Sequence, residues 1–308
     1  MRYFTSLVVL SLALSGCVND SDDAANNTAD TSVLSASSAS YTFTFSTLVL
    51  SRGVASVQVH VTDKAGNQLP GDEELSISPL MTMVSGMQHG TPLAPASGTL
   101  DAEGNFTTHI YYLMASGAEM GTWSMTLNYN GEQVVVSPDV QMQISDVVKL
   151  QSNDDVIAAA SMGSMATPMM MNTTPRTYYI FTRHLENHAD EKHLKVFVAA
   201  REDMLTHTPL VAGAVFNPDS SYALNVTDVA LHICAQDCAS DTAWLDLTAV
   251  EDEPGVYEYA GDIPGLMMDG ELNIALFVND SEKTAGGVAG AHGVLDFSSA
   301  DTGAMHAM

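Results

Sequence analysis

From Tyr41 onward the apolar positions recur every second residue. Val57, Val59 and Val61 alternate with Gln58, His60 and Thr62, and Trp123, Met125, Leu127 and Tyr129 alternate with Thr122, Ser124, Thr126 and Asn128. Such a period belongs to half-buried β-strands, whose side chains point to opposite faces in turn. Residues 41–50, 74–78, 106–113 and 133–137 extend the set, with Gly66-Asn67, Gly104-Asn105 and Asn130-Gly131 between strands as turn formers. No segment sustains a helical period. The pattern predicts an all-β fold, beginning with a sandwich over residues 41–150.

The second half reads similarly. Residues 178–182, 194–200, 222–233, 256–259 and 272–278 have strand character, the last with Leu272, Ile274, Leu276 and Val278 on one face. A weak internal repeat relates the halves. The acidic turn at Gly104 leading into Phe106 matches the one at Gly255 leading into Tyr257, and Gly121 and Gly270 each open the next strand. The expectation is a second sandwich over 176–298 of similar topology, so two tandem immunoglobulin-like domains. Residues 151–175 lack strand alternation and read as a Met-rich linker, and 299–308 as a flexible tail.

The amino terminus sets the compartment. Arg2 supplies a positive start, residues 7–14 are a short apolar run, and Leu14-Ser15-Gly16-Cys17 closes it. The run is too short to span a bilayer and reads as a signal peptide, residues 1–16. Its last four residues resemble the bacterial lipobox, which implies acylation of Cys17 as the mature terminus. Residues 17–40 are mostly Asn, Asp, Ser, Ala and Thr and are expected to form a disordered tether. Val18, rather than an aspartate, follows Cys17. By resemblance to sorted lipoproteins, that favours the outer membrane, with the lipid anchor as the membrane partner.

Composition then removes several classes. The 308 residues carry 37 Asp plus Glu against 10 Lys plus Arg, a formal charge of −27. No basic face is available for nucleic acid, nor for electrostatic docking on anionic lipid. Apolar residues make up 46%, enough to fill two cores. Besides Cys17 there are only Cys234 and Cys238, with three residues between them. Outside the cytoplasm that spacing predicts a short-loop disulfide.

Methionine is the unusual component, with 18 in the chain. Met81, Met83, Met87 and His89 fall within nine residues of a long connection between the 74–78 and 106 strands. Thioethers are soft, neutral ligands suited to Cu(I), and imidazole suits copper generally. Met114 and Met120 flank a loop able to approach that site, whereas Met125 alternates with core positions. Packing is the competing reading, because Met fills irregular gaps in cores. Met162, Met165, Met169, Met170 and Met171 form a second cluster in the linker. It reads either as a secondary Cu(I) site or as a run docked between the two domains. Met305, His306 and Met308 repeat the chemistry at the end of the chain.

Pro79, Met81, Met83, Met87 and His89, then Gly104 to Phe106, Leu113-Met114, and Met120-Gly121 to Trp123, resemble the YtkA/FixH-like group of extracytoplasmic β-sandwiches. The resemblance covers about residues 45–145. It implies an immunoglobulin-like fold and a link to copper handling or oxidase assembly. Unlike FixH, this chain adds a second half and a lipid anchor and has no transmembrane helix.

Other motifs are weaker. His184, His188 and His193, with Glu186, Asp190 and Glu191, read as the tip of a β-hairpin, either a solvated turn or a labile Cu(II) or Zn(II) site. His60 and His109 read as surface positions, and His232 and His292 carry no signal. No nucleophile elbow, phosphate loop or zinc-protease motif appears, so no enzyme is expected. The leading expectation is a Cu(I) chaperone or sequestering lipoprotein that exchanges metal with a donor or acceptor protein. The alternatives are a metal-free module recognising protein or glycan, and a docking subunit of an envelope complex.

Overall fold

A computed structural model describes residues 34–46, 50–142, 147–159, 173–188, 191–266 and 270–296. Cys17, the linker methionines 162–171 and the 305–308 group lie outside them. The described chain is β throughout, apart from one 3-10 turn at Asp241–Ala243. Among these residues no helix is long and apolar enough to cross a membrane.

The first half contains β1 (Ser35–Ser37), β2 (Tyr41–Phe45), β3 (Leu50–Ser51), β4 (Gly53–Asp63), β5 (Glu74–Met83) and β6 (Gln88–Gly90). Then follow β7 (Leu93–Ala94), β8 (Ser97–Thr99), β9 (Asn105–Tyr112), β10 (Gly121–Tyr129), β11 (Glu132–Val136) and β12 (Val140–Gln141). One sheet runs β1-β2-β4-β9-β7 and the other β11-β10-β5-β6, with β8 also on β5. The inward positions of the two sheets share one core, including Phe43, Val57, Val59, Ile77, Met81, Trp123, Met125 and Leu127. Two turns repeat one device. Asp63 Oδ1 accepts the Ala65 and Asn67 amides, both at 2.8 Å, and Asp101 Oδ1 accepts those of Glu103 and Asn105, at 3.0 and 2.7 Å. A short carboxylate reaching its own backbone in this way closes a turn without help from the rest of the fold.

The second half contains β13 (Val147–Ala158), β14 (Thr173–His188), β15 (Glu191–Arg201), β16 (His207–Pro209), β17 (Val215–Phe216) and β18 (Leu224–Asn225). It continues with β19 (Val229–Cys234), β20 (Leu245–Ala249), β21 (Val256–Gly261), β22 (Glu271–Val278), β23 (Ser281–Ala285) and β24 (Gly293–Asp296). Eight of these form a ring, β14-β13-β23-β22-β19-β20-β21-β15, which closes because β15 also pairs with β14. This is a closed antiparallel barrel rather than a second open sandwich like the first. Closure leaves the ring without a free edge. Its interior is filled by Leu150, Tyr178, Ile180, Val196, Val198, Leu231, Ile274, Leu276 and their neighbours.

Three expected boundaries move. Residues 35–37 of the expected tether form β1, with Ala36 opposite Phe43 and Leu34 and Ala36 packed on the core. Residues 151–158 of the expected linker continue β13, and 173–175 begin β14. The 222–233 segment is strand only at Leu224–Asn225 and Val229–Cys234. The linker reading failed where β13 bulges between Gln151 and Val156, because a bulge breaks the alternation that identifies a strand. Beside that bulge Asp155 is buried and receives two bonds from Arg176 Nε, at 2.9 and 3.2 Å. Arg176 is fully buried. It also donates to Asn217 Oδ1 at 2.8 Å, to the Tyr222 carbonyl at 3.0 Å and to the Arg201 carbonyl at 3.3 Å. Tyr178 donates its hydroxyl to Asp155.

The described residues belong to one compact unit. A third apolar cluster joins sandwich and barrel: Tyr111 of β9 with Tyr179 and Phe181 of β14, Phe197 and Ala199 of β15, and Val256 of β21. Polar contacts edge it. Arg183 bonds Glu253 and lies 3.4 Å from both ring nitrogens of His109, and Lys195 reaches Glu253 at 3.5 Å. His109 is thus a half-buried junction residue rather than the surface position its strand neighbours suggested.

Candidate metal centre

The expected long loop after residue 78 is mostly strand. Pro79, Met81 and Met83 hold the inward phase of β5 while Ser78 and Thr82 face outward, so the Met-x-Met spacing follows the strand period. In the ladder Met81 lies opposite Trp123 on one side and His89 on the other. A tight hairpin then closes, with the Met83 amide donating to the Met87 carbonyl and the Gly86 amide to the Met83 carbonyl, each at 2.8 Å.

The predicted ligands are graded by depth. Met81 is fully buried and packs in the sandwich core. Met83 is half-buried, and Met87 at the hairpin tip is 39% exposed. The other arm comes from the Met114 to Met120 loop. Trp123 Nε1 donates to the Met114 carbonyl at 3.0 Å, and the Val84 amide to the Met120 carbonyl at 3.4 Å. Both methionines are half-buried against the same core.

Gly121 makes the approach of the two arms possible. It sits opposite Met83 with φ +137°, and a Cβ there would come within 2.3 Å of the Thr82 carbonyl oxygen and 2.7 Å of the Met83 Cα. The backbone therefore gathers Met83, Met87 and Met120 at one end of the sheet, with Met81 and Met114 behind them. Among the described residues, no three His, Cys, Asp or Glu side chains group as a metal site. Any metal held here would have to rely on thioethers.

His89 is half-buried where β6 meets the barrel. The Gly90 amide donates to the Met204 carbonyl at 2.9 Å. A Cβ on Gly90 would fall 1.8 Å from the Leu205 carbonyl oxygen, so the two backbones touch there. Burial, and then the nearby Arg201 guanidinium, hold the His89 imidazole below its ordinary value. His207, opposite Arg201 in the β15–β16 pair, was not singled out in the sequence. Burial first and Arg201 second push it down to about 4. Both its ring nitrogens are buried without a hydrogen-bond partner among the described residues, and its ring lies 5.5 Å from that of Tyr179. The run Thr206-His207-Thr208 has no ligand spacing, and only the fold shows what faces it.

The remaining candidates are elsewhere. His184 and His188 lie on β14, whose pairing with β15 runs to His188 opposite Glu191, a hairpin as expected. His193 contacts Glu258 at 3.1 Å, His232 contacts Asp246 at 2.7 Å, and His292 contacts Glu282 at 3.2 Å. His60 Nδ1 is 3.1 Å from Asn105 Oδ1. Cys234 and Cys238 are joined by a disulfide across a Cα separation of 5.7 Å, within the usual range. A polar cavity of about 490 Å³ is lined by Glu73, Glu74, Ser76, Ser97, Asn128, Asn130 and Gly131. It sits at the opposite end of β5 and β10 from Met83, and none of the predicted ligands lines it.

No family model and no curated protein matches this chain. Among solved structures, the surface layer protein SbsC, domains 4–9, aligns at TM-score 0.24 and 11% identity over 84% of this chain. This chain spans only 31% of that one. A chimeric titin Z1Z2 carrying an exogenous decorin peptide aligns at TM-score 0.19 and 11% identity, over 85% of this chain and 96% of that one. Titin domains A168–A170 align at TM-score 0.19 and 8% identity, over 79% and 94%. Overlaps this low carry no argument about function; the all-β architecture rests on the strands themselves.

Proposed function

We propose that this chain is an envelope lipoprotein that binds Cu(I) as a chaperone or sequestering protein, without enzyme chemistry. The first half is taken as an immunoglobulin-like, YtkA/FixH-like sandwich, tethered to the outer membrane through Cys17. The observation that carries the reading is the convergence of Met83, Met87 and Met120 where Gly121 brings β10 against β5. Neutral sulfur retains a soft monovalent ion and stays a ligand where free thiols are oxidised. Met83, Met87, Met120 and His89 are the ligands proposed. Met81 and Met114 shape the apolar floor and join only if the core edge opens. Met162, Met165, Met169, Met170 and Met171 are a second site for hand-off to a donor or acceptor protein. The acidic chain, at −27, favours cation approach.

Anaerobic competition for Cu(I) against a chromogenic chelator tests this on the full chain. Met83→Leu/Met87→Leu/Met120→Leu is expected to weaken binding at least tenfold with the fold retained. Equal affinity in that variant contradicts the site. The polar cavity at the other end of β5 favours a second reading, recognition of a glycan or protein. Glycan-array or pull-down capture lost on Glu73→Ala/Asn128→Ala would support it.

A further inference from the structure

We propose that His207 of the barrel joins His89 of the sandwich in holding the Cu(I), so that one ion is shared across the junction. The inference rests on the copper reading above and adds to it a ligand from the other half of the chain.

The argument starts from an unmet need. An imidazole whose two nitrogens are both buried forfeits its hydrogen bonds to water, and the cost remains unless a partner replaces them. Among the described residues His207 has no such partner. Its ring is held in place: β16 pairs with β15 at Arg201, and Tyr179 lies alongside at 5.5 Å. The turn leading into β16 is fastened to the sandwich, where the Met204 carbonyl accepts the Gly90 amide at 2.9 Å and Leu205 abuts Gly90. His89 is the residue before Gly90. The fold thus places an imidazole from each half on either side of one backbone contact, and the two are near enough for the His89 charge to act on His207.

The surroundings select the ion. Arg201 acts on both rings, and Asp203 on His207 alone. A fixed guanidinium opposes a dication about twice as strongly as a monocation at the same place, because the Coulomb energy scales with the charge. Neutral nitrogen donors beside thioethers, with a cation nearby, therefore favour Cu(I) over Zn(II) or Cu(II).

Cu X-ray absorption on the full chain loaded anaerobically with one equivalent of Cu(I) tests this, alongside chelator competition. Two nitrogen scatterers are expected with the sulfur shell in the parent, and one in His207→Phe, with affinity lowered at least tenfold. Zn(II) at equal concentration is expected not to displace the copper. An unchanged nitrogen shell and affinity in His207→Phe, with sulfur ligation intact, overturn the shared site and leave the Met-end reading standing. No Cu(I) binding in the parent overturns both. Imidazole NMR of the unmodified protein gives a variant-independent check, should His207→Phe fail to fold. The proposal requires the His89 and His207 resonances to shift together up to one equivalent, and a shift of His89 alone contradicts it.

Discussion

The ring of Tyr111, carried by the sandwich, lies flat on that of Phe197 in the barrel, with centroids 3.8 Å apart and planes 9° from parallel. Phe181 leans on the same ring at 5.2 Å. The two halves therefore share a dry aromatic contact as well as a chain connection, and aromatic contacts of this size dominate the energetics of such surfaces. A truncation that empties the contact, Phe197→Ala, is expected to cost about 3–5 kcal/mol. Calorimetry should show one cooperative transition for the parent and two separated transitions for the variant. A single unshifted transition in both would contradict a coupled junction.

The buried Arg176–Asp155 pair gives a second expectation. Removing one member leaves the other charged, buried and unmatched, which costs about 3–5 kcal/mol, whereas replacing both with apolar groups costs far less. Urea unfolding should find Arg176→Met strongly destabilised and Arg176→Met/Asp155→Leu closer to the parent. The reverse order would mean that the network is not held by mutual compensation.

Both sequence successes and failures have physical causes. The strands of the sandwich were legible because one face of each is wet, as at Val57 to Val61. The Asp63 and Asp101 turns were legible because their bonds are local. The junction is different. In β14, Tyr178 and Ile180 point into the barrel while Tyr179 and Phe181 point to the sandwich, and in β15 Val196 and Val198 alternate with Phe197 and Ala199 in the same way. A strand buried on both faces has no polar alternation to show, so its uninterrupted apolar run was the signal that a second surface had to cover it. Barrel closure depends on β14 meeting β15 and β13 together, which no local pattern encodes. The Met segment stood out by composition, but its geometry did not, since Met81 follows the strand period into the core. His207 carried no signal, because Tyr179, Arg201 and His89 reach it from separate strands, the last of them in the other half.

Acid sensitivity should appear in two windows. His109, pressed by burial and by Arg183 with Glu253 opposing, and His207, facing Arg201, Asp203 and His89, are each lowered from 6.5 to about 4 in the folded protein. A depressed histidine is neutral when folded and takes up a proton on unfolding. Its stabilisation is thus complete above pH about 6.5 and is lost as the pH falls toward about 4, of the order of 1–3 kcal/mol each. Asp101, Asp154 and Glu253, held below their ordinary values, lose their contribution only at lower pH still. Unfolding of the metal-free protein between pH 7 and 4 should show a shallower decline for His109→Gln than for the parent. Parallel curves would contradict the assignment.

Gly121→Ala tests the device that gathers the methionines. The added Cβ meets the Thr82 carbonyl and the Met83 Cα in a backbone conformation that side chains rarely adopt, so β10 must draw back from β5. The expected result is a loss of about 1–3 kcal/mol in stability together with weaker Cu(I) retention. Gly117→Ala, with nothing within 4 Å of its Cβ, should leave binding unchanged. Equal retention in all three proteins would separate Cu(I) binding from the convergence at Gly121.

The most direct measurement is the sulfur shell of Cu(I) in the full chain at one equivalent, read from X-ray absorption and compared with Met83→Leu/Met87→Leu/Met120→Leu. The parent should show thioether sulfur bound to the metal, and the variant should lose most of that scattering while its unfolding transition stays in place. A spectrum of nitrogen and oxygen ligands alone, or a sulfur shell unchanged by the three substitutions, would contradict a copper site at this end of the sandwich.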